Sequence, residues 1–207
     1  MHYLFIFYLE FIIFFMNFLG HIYFSGNDPE LMHANLFGDF VKGSDLSAFH
    51  PEVQKGIRLH RKIDHYIDNH PEVKLLTRQL APSLPKVAGI AVDIYFDHFL
   101  SKHWSRYHSE SLDLFLEKFY TYHIDEKEYP NEQFLHMIFR LKRGRWISGY
   151  SDLDGVEAAC FGVSRRISFP NALVNGRMVL ENNYTAVEEA FFVYMNDAID
   201  YFAKNAM

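Results

Sequence analysis

Residues that start and stop helices divide this chain into segments of helical length. Asp28, Pro29 and Glu30 supply a cap, a first-turn proline and an acidic residue, and Gly43 supplies a stop, so a helix is predicted over residues 29–42. A second helix opens at Pro51 and is limited by residue 71. Apolar periodicity predicts further helices at about 71–80, 86–104, 110–124, 131–144, 151–165 and 185–204. Few strand signals and short connections predict an all-α, single-domain helical bundle.

The composition fits one folded domain in a reducing compartment. The chain has 207 residues, of which 49% are hydrophobic and 22% are charged, so it can bury a core and is not of the disordered class. Cys160 is the only cysteine, which excludes an intrachain disulfide and favours a cytoplasmic location. The formal net charge of -6 argues against non-specific binding of nucleic acid. We expect neither a nucleic-acid partner nor stable membrane insertion.

Residues 1–15 form an apolar N-terminal extension that Glu10 interrupts. The segment lacks the basic start and the cleavage site of a signal peptide, and it is shorter than the roughly 20 residues that cross a bilayer. We interpret it as a start-site artefact, with Met16 as the functional start. The alternative is a tail that binds a membrane surface or a partner protein. The predicted functional domain is therefore 16–207.

Two pairs of polar side chains are spaced for a metal ion. His60 and Asp64, and likewise Asp93 and Asp97, stand four residues apart in predicted helices, which places each pair on one helix face. Imidazole and carboxylate ligands suit manganese, iron or zinc. A pair of this kind on an exposed helix is more often a solvated contact. Asp93 and Asp97, however, lie in the apolar run GIAVDIYFDHFL, where unpaired carboxylates are costly, so the pattern favours a metal site.

Other side chains can complete this site from neighbouring segments. Asp39 and His21 can add ligands from outside the two helices. A metal-activated water that attacks phosphorus also needs cations for the phosphate oxygens, and Arg58, Arg61 and Lys62 flank the first pair. The predicted chemistry is hydrolysis of a phosphoester.

Four ordered motifs resemble the acyl carrier protein phosphodiesterase family. They are MNFLGHIYF from Met16, NLFGDFVKG around Asp39, GIRLHRKID around His60 and Asp64, and VDIYFDHFLSKHW around Asp97. The resemblance is specific from residue 16 to about residue 107 and looser beyond. It implies a divergent HD-type metal phosphohydrolase fold. It also implies a manganese-dependent enzyme, with iron or zinc as alternatives, that removes 4′-phosphopantetheine from holo-acyl carrier protein by metal-activated water attack.

The resemblance also implies roles for the residues that match its motifs. The segment HRKID lacks the adjacent His-Asp pair of ordinary HD enzymes, so their ligand set does not transfer. We predict Asp39, His98 and Arg61 as catalytic residues. For His98, a structural histidine bonded to a backbone carbonyl is an equally favoured interpretation. The predicted metal ligands are His21, Asp39, His60, Asp64, Asp93 and Asp97.

Acyl carrier proteins are acidic, so a chain of net charge -6 needs a local basic surface to bind one. One candidate surface borders the predicted metal site, and another is the basic run from residue 140 to 145. For the second surface, a solvated helix end is the alternative that base rates favour. The predicted partner-binding residues are Lys55, Arg58, Lys62, Arg143 and Arg145.

Two other functions fit the same residues. A related helical metallohydrolase that acts on a nucleotide or another small phosphoester would share the metal ligands but need no protein-docking surface. A non-catalytic helical adaptor would use the His and Asp clusters structurally and would retain no metal. Product analysis separates the first alternative from the leading hypothesis, and metal content separates the second.

Overall fold

The chain folds into α-helices, which confirms the predicted all-α class. The computed structural model describes residues 18–205, and the predicted extension at 1–15 lies outside them. Within the described residues there are eleven α-helices and no strand. The helices are α1 Phe18–Phe24, α2 Pro29–Phe37, α3 Pro51–Asn69, α4 Pro71–Leu80, α5 Ala88–Lys102, α6 Trp104–Tyr107, α7 Leu112–Thr121, α8 Glu132–Gly144, α9 Leu153–Ser164, α10 Gly176–Asn182 and α11 Tyr184–Lys204. Short 3-10 helices span Gly38–Phe40, Glu126–Glu128, Trp146–Gly149 and Leu173–Asn175.

Local sequence signals set several helix boundaries. The Asp28 carboxylate accepts the backbone N–H groups of Glu30 and Leu31 at 3.0 and 3.2 Å, which caps α2. Helix α4 spans residues 71–80, as predicted. Helix α5 begins at Ala88 rather than at residue 86, because Lys86 has a φ of 66° that a right-handed helix does not allow. Helices α1, α6 and α10 were not predicted.

Helix α5 is the central helix of the bundle. Every residue from Ile94 to Ser101 is buried, and the helix packs against α1, α4, α9 and α11. A helix surrounded by other helices is apolar on all faces, which explains the run GIAVDIYFDHFL. Asp97 and His98 are therefore buried polar groups that need partners within the protein.

Helices α2 and α3 form the most extensively packed helix pair in the described part of the chain. A Cβ atom built on Gly56 of α3 would lie only 2.3 Å from the Cβ of Ala34 on α2, so a glycine is needed for this approach. Helix α1 lies against both α2 and α5. The four helices α1, α2, α3 and α5 carry the predicted metal ligands or lead directly into them.

Helix α11 is 21 residues long and packs on α4 and α5. Acidic residues along it, such as Glu188 and Asp197, face solvent or pair with residues of neighbouring helices. Across residues 18–205, no helix combines the length and the apolar character that crossing a membrane requires.

Candidate metal centre

The first turn of α1 is held by the side chain of Asp97 on α5. Its Oδ2 accepts the backbone N–H of Leu19 at 3.0 Å, and its Oδ1 accepts that of Gly20 at 2.9 Å. These N–H groups have no partner within a helix, so a carboxylate placed here satisfies two buried donors at once. The contact fixes the position of His21 one residue later. The structure thus gives Asp97 a capping contact, and its metal-ligand role stays a prediction.

Asn35 of α2 orients the imidazole of His21. The Asn35 amide donates to the backbone oxygen of His21 at 3.0 Å and to Oγ of Ser25 at 2.9 Å. Its Oδ1 therefore faces His21 Nδ1, at 2.8 Å, and accepts a hydrogen bond from it. In the neutral imidazole this arrangement leaves the lone pair on Nε2, the tautomer that a metal-binding histidine needs. Sequence reasoning did not identify Asn35 as part of the site.

His60 of α3 lies directly against the 3-10 helix that follows α2. A Cβ atom on Gly38 would fall 2.3 Å from Cγ of the His60 ring, so the glycine makes room for the imidazole. The next residue, Asp39, then places its Oδ1 3.0 Å from His60 Nε2. The motif GDF therefore supplies both the space for the His60 imidazole and a carboxylate beside it.

Four side chains meet at this point, and we call them the His/Asp cluster: His21, Asp39, His60 and Asp64. The two oxygens of Asp64 lie 3.2 Å from His21 Nε2 and 3.0 Å from His60 Nε2. The two imidazole rings are stacked, with their centroids 4.4 Å apart. Both histidines are buried, whereas the Asp64 side chain is 45% exposed, so the cluster is accessible from solvent on that side.

The electrostatics of the cluster couple its acids and its bases. Burial alone would lower the pKa of His60, but hydrogen bonds to Asp39 and Asp64 outweigh it and raise this pKa to about 9. Burial would raise the pKa of Asp64, but hydrogen bonds from His21 and His60 hold it well below its ordinary value. Without a metal ion, His60 therefore carries a proton between two carboxylates. A divalent cation can replace that proton.

Asp93 of α5 lies near the cluster among further acidic groups. Burial raises its pKa well above the ordinary value, and the negative charges of Asp68, Asp97, Asp64 and Asp39 raise it further. Asp93 and Asp68 line a cavity of about 320 Å³ between α3, α4 and α5. Asp68 was missed by sequence reasoning, although it continues the four-residue spacing of His60 and Asp64 along α3. The region concentrates negative charge that a cation would balance.

His98 makes its contacts away from the His/Asp cluster. Its Nδ1 lies 2.8 Å from the backbone oxygen of Tyr150, and its Nε2 lies 3.0 Å from the Tyr184 hydroxyl. Burial lowers the pKa of His98, so it is neutral at neutral pH. This geometry matches the structural alternative stated above, a histidine bonded to a backbone carbonyl. The predicted catalytic role of His98 stays a prediction.

The basic side chains of α3 differ in the hydrogen-bond and ion-pair partners that they already have. Arg61 donates from Nη2 to the backbone oxygen of Val41 at 3.0 Å. Because Val41 follows Asp39 by two positions in the sequence, this contact holds the guanidinium against the segment that carries Asp39. Lys62 donates to the backbone oxygen of Asn205 at 2.6 Å. The remaining two are bonded within their own helix: Lys55 lies 3.7 Å from Glu52, and Arg58 lies 2.8 Å from Gln54.

In the basic run at the end of α8, some side chains also have partners within the protein. Arg145 pairs with Glu117 of α7, and Lys142 donates to the backbone oxygen of Tyr122. Burial lowers the pKa of Lys142 to about 8. The Arg143 side chain is exposed and has no hydrogen bond or ion pair with another described residue. Of the two arginines predicted to bind a partner here, Arg143 is the one that remains free.

A second group of side chains could also hold a cation. Glu30, His50 and Glu128 bring one ligand atom each to within 4.8 Å of one another. His50 is exposed, and no hydrogen bond within the described residues orients its ring, whereas Asn35 and the two carboxylates orient the histidines of the His/Asp cluster. The His/Asp cluster is therefore the better candidate metal centre.

Comparison with known proteins relates the chain to one family. A family model described as acyl carrier protein phosphodiesterase matches residues 16–198. The acyl carrier protein phosphodiesterase of Escherichia coli strain 536 is 31% identical over 196 residues, which cover 93% of this chain and 100% of the relative. Its counterpart in Escherichia coli O157:H7 is 32% identical over 183 residues, 86% of this chain and 93% of the relative. No solved structure matches significantly, so the HD-type fold stays a prediction. The chain belongs to the acyl carrier protein phosphodiesterase family.

Proposed function

We propose that this chain hydrolyses the phosphodiester that joins 4′-phosphopantetheine to the serine of holo-acyl carrier protein. The products are apo-carrier and 4′-phosphopantetheine. The observation that supports this most directly is the convergence of two histidine Nε2 atoms and two carboxylates in the His/Asp cluster. The relatives that match 93% of the chain carry the name of this activity. We expect the reaction to take place in the cytoplasm.

The cluster fits a divalent metal ion on the chemistry of its donors. Asn35 leaves Nε2 of His21 available, and Asp39 and Asp64 surround Nε2 of His60. Mixed imidazole and carboxylate donors suit manganese, with iron and zinc as alternatives. A divalent ion held there would supply Lewis acidity to a phosphoryl oxygen and lower the pKa of the attacking water. His21, Asp39, His60 and Asp64 are the residues we assign to hold it.

Two neighbouring side chains supply the remaining functions. The Arg61 guanidinium has five N–H donors, and its contact with Val41 uses only one nitrogen, so the others can neutralise phosphate oxygens beside Asp39. Burial and the neighbouring carboxylates raise the pKa of Asp93 well above its ordinary value, which favours its protonated form. We assign Asp93 as the acid that donates this proton to the departing serine oxygen.

The test is incubation of the full chain with holo-acyl carrier protein and manganese, with the mass of the carrier as the readout. Loss of the prosthetic group from the carrier is expected, together with release of 4′-phosphopantetheine. Asp64→Asn should lower kcat by at least about 100-fold, because it removes a proposed metal-binding carboxylate that contacts both histidines. Release of phosphate from nucleotides but not of phosphopantetheine from the carrier would contradict the proposal.

A matched control is available outside the cluster. His70 is buried and lies 3.2 Å from Asp197, so His70→Gln removes a histidine from a comparable His–Asp pair. This variant should keep its activity if the His/Asp cluster is the active centre. Bound metal in the wild type and in Asp64→Asn, measured by elemental analysis, separates an enzyme from a helical adaptor that holds no metal.

A further inference from the structure

One large cavity of the molecule does not involve the His/Asp cluster. It has a volume of about 620 Å³ and lies between α5, α8, α9 and the start of α1. This volume is in the range of small-molecule sites, which are lined mainly by apolar side chains with a few polar groups. The apolar lining includes Phe18, Ile94, Met137, Leu141, Trp146 and Val163.

Two arginines face this cavity without an acidic partner. Arg140 and Arg166 both line it, and neither guanidinium has a hydrogen bond or ion pair with another described residue. The guanidinium of Arg140 lies over the ring of Trp146, at 5.4 Å from its centroid. Burial and the positive charge of Arg140 lower the pKa of Arg166. Unbalanced positive charge in a partly buried site favours an anionic ligand.

The acidic residues of the cavity wall have partners other than Arg140 and Arg166. Asp152 caps α9 by accepting the backbone N–H of Gly155 at 2.8 Å. Asp154 pairs with Arg177 at 2.6 Å. The third arginine of the wall, Arg145, already has Glu117 as its partner. Asp152 keeps its negative charge as a cap, so the wall residues outside ion pairs carry two positive charges, those of Arg140 and Arg166, against one negative charge.

We propose that this cavity binds an amphiphilic anion, with an aliphatic body and a single carboxylate or phosphate headgroup. The apolar wall receives the body, and Arg140 and Arg166 bind the headgroup through charge-assisted hydrogen bonds. The volume accommodates a chain of about ten carbon atoms. This site is separate from the proposed hydrolysis and does not depend on it. Phe18 begins α1, so a bound ligand would contact the helix that carries His21.

Tryptophan fluorescence provides a local signal for this test. Trp146 lines the cavity and is 43% exposed, whereas Trp104 is buried. The full chain is titrated with decanoate and decyl phosphate below their micelle concentrations and with decanol below its solubility limit, and calorimetry supplies a second readout. We expect saturable binding of at least one of the two anions, at least about tenfold tighter than that of decanol. The tighter of the two anions identifies the headgroup.

Three variants make the assignment specific. Replacing both arginines, in Arg140→Gln/Arg166→Gln, should reduce the affinity for the anion to that for decanol. Arg165→Gln is the matched control, because Arg165 is the exposed neighbour of Arg166 and does not line the cavity. Gly162→Leu should abolish binding of all three ligands, because a Cβ built on Gly162 meets nothing within 4 Å and the new side chain occupies the cavity.

Three results would overturn the proposal. The first is equal affinity for decanol and the anions, and the second is no saturable binding by calorimetry. The third is anion binding that survives in Gly162→Leu or in the double arginine variant. Circular dichroism and thermal unfolding of each variant check that it is folded, and the double arginine variant decides the test if Gly162→Leu does not fold.

Discussion

At the scale of single residues, a proton and a metal ion compete for the same position in the His/Asp cluster. His60 Nε2 lies 3.0 Å from both Asp39 and Asp64, and its pKa is raised to about 9. Because this pKa is above the ordinary 6.5, protonated His60 stabilises the metal-free protein fully below pH 6.5. That contribution is lost as the pH rises through about 9. A metal ion must displace the same proton.

The first prediction is therefore that metal affinity rises with pH up to about 9. Below that value the apparent affinity for manganese should fall about tenfold for each pH unit, because one proton is released on binding. Calorimetric titrations between pH 7 and pH 10, repeated in buffers of different ionisation enthalpy, measure both the affinity and the proton release. An affinity that is constant over this range, with no proton released, would show that the metal does not bind at His60.

At the scale of helices, α1 depends on a residue of α5 for its position. A helix of seven residues is not stable on its own in water, so α1 relies on its contacts. Asp97 supplies the acceptor for the N–H groups of Leu19 and Gly20. The position of His21 thus depends on a carboxylate more than seventy residues away in the sequence.

Asp97→Ala should lower the free energy of unfolding of the metal-free protein by about 2–4 kcal/mol, because two buried N–H groups lose their acceptor. Urea unfolding measures this change. Asp200→Ala serves as the control, since Asp200 is 77% exposed and should change the stability by no more than about 0.5 kcal/mol. If Asp97→Ala keeps its stability but no longer binds metal, Asp97 is a ligand and not a cap.

The helices differ in how far the sequence could predict them. Helix α4 begins with Pro71 and has a regular apolar face, so its ends were predicted correctly. Helix α1 is short, contains Gly20 and is held by a tertiary contact, so no local pattern predicts it. The spacing of His60 and Asp64 is a local pattern and could be recognised in the sequence. The role of Asn35 in the site depends on a tertiary contact and could not be recognised. Its partners His21 and Ser25 lie on another segment, and only the packing of α2 on α1 brings them together.

At the scale of the whole molecule, the net charge of -6 opposes binding to an acidic carrier. A docking surface must therefore use basic residues that no acidic neighbour already neutralises. Arg145 pairs with Glu117, and Lys142 is bonded to a backbone oxygen. Arg140 lies over the ring of Trp146 at the cavity, whereas the exposed Arg143 side chain has no partner among the described residues, so Arg143 is available to attract the carrier.

Arg143→Glu should raise KM for holo-acyl carrier protein about fivefold at low salt and leave hydrolysis of a small phosphodiester unchanged. The reason is that the charge acts on the encounter with the carrier and not on the reaction, so the effect should fade at about 0.5 M salt. Lys127→Glu makes the same change in net charge on the exposed 3-10 helix at Glu126–Glu128 and should alter KM much less. If Arg143→Glu slows both substrates equally, or if Lys127→Glu raises KM as much, the carrier does not dock at the end of α8.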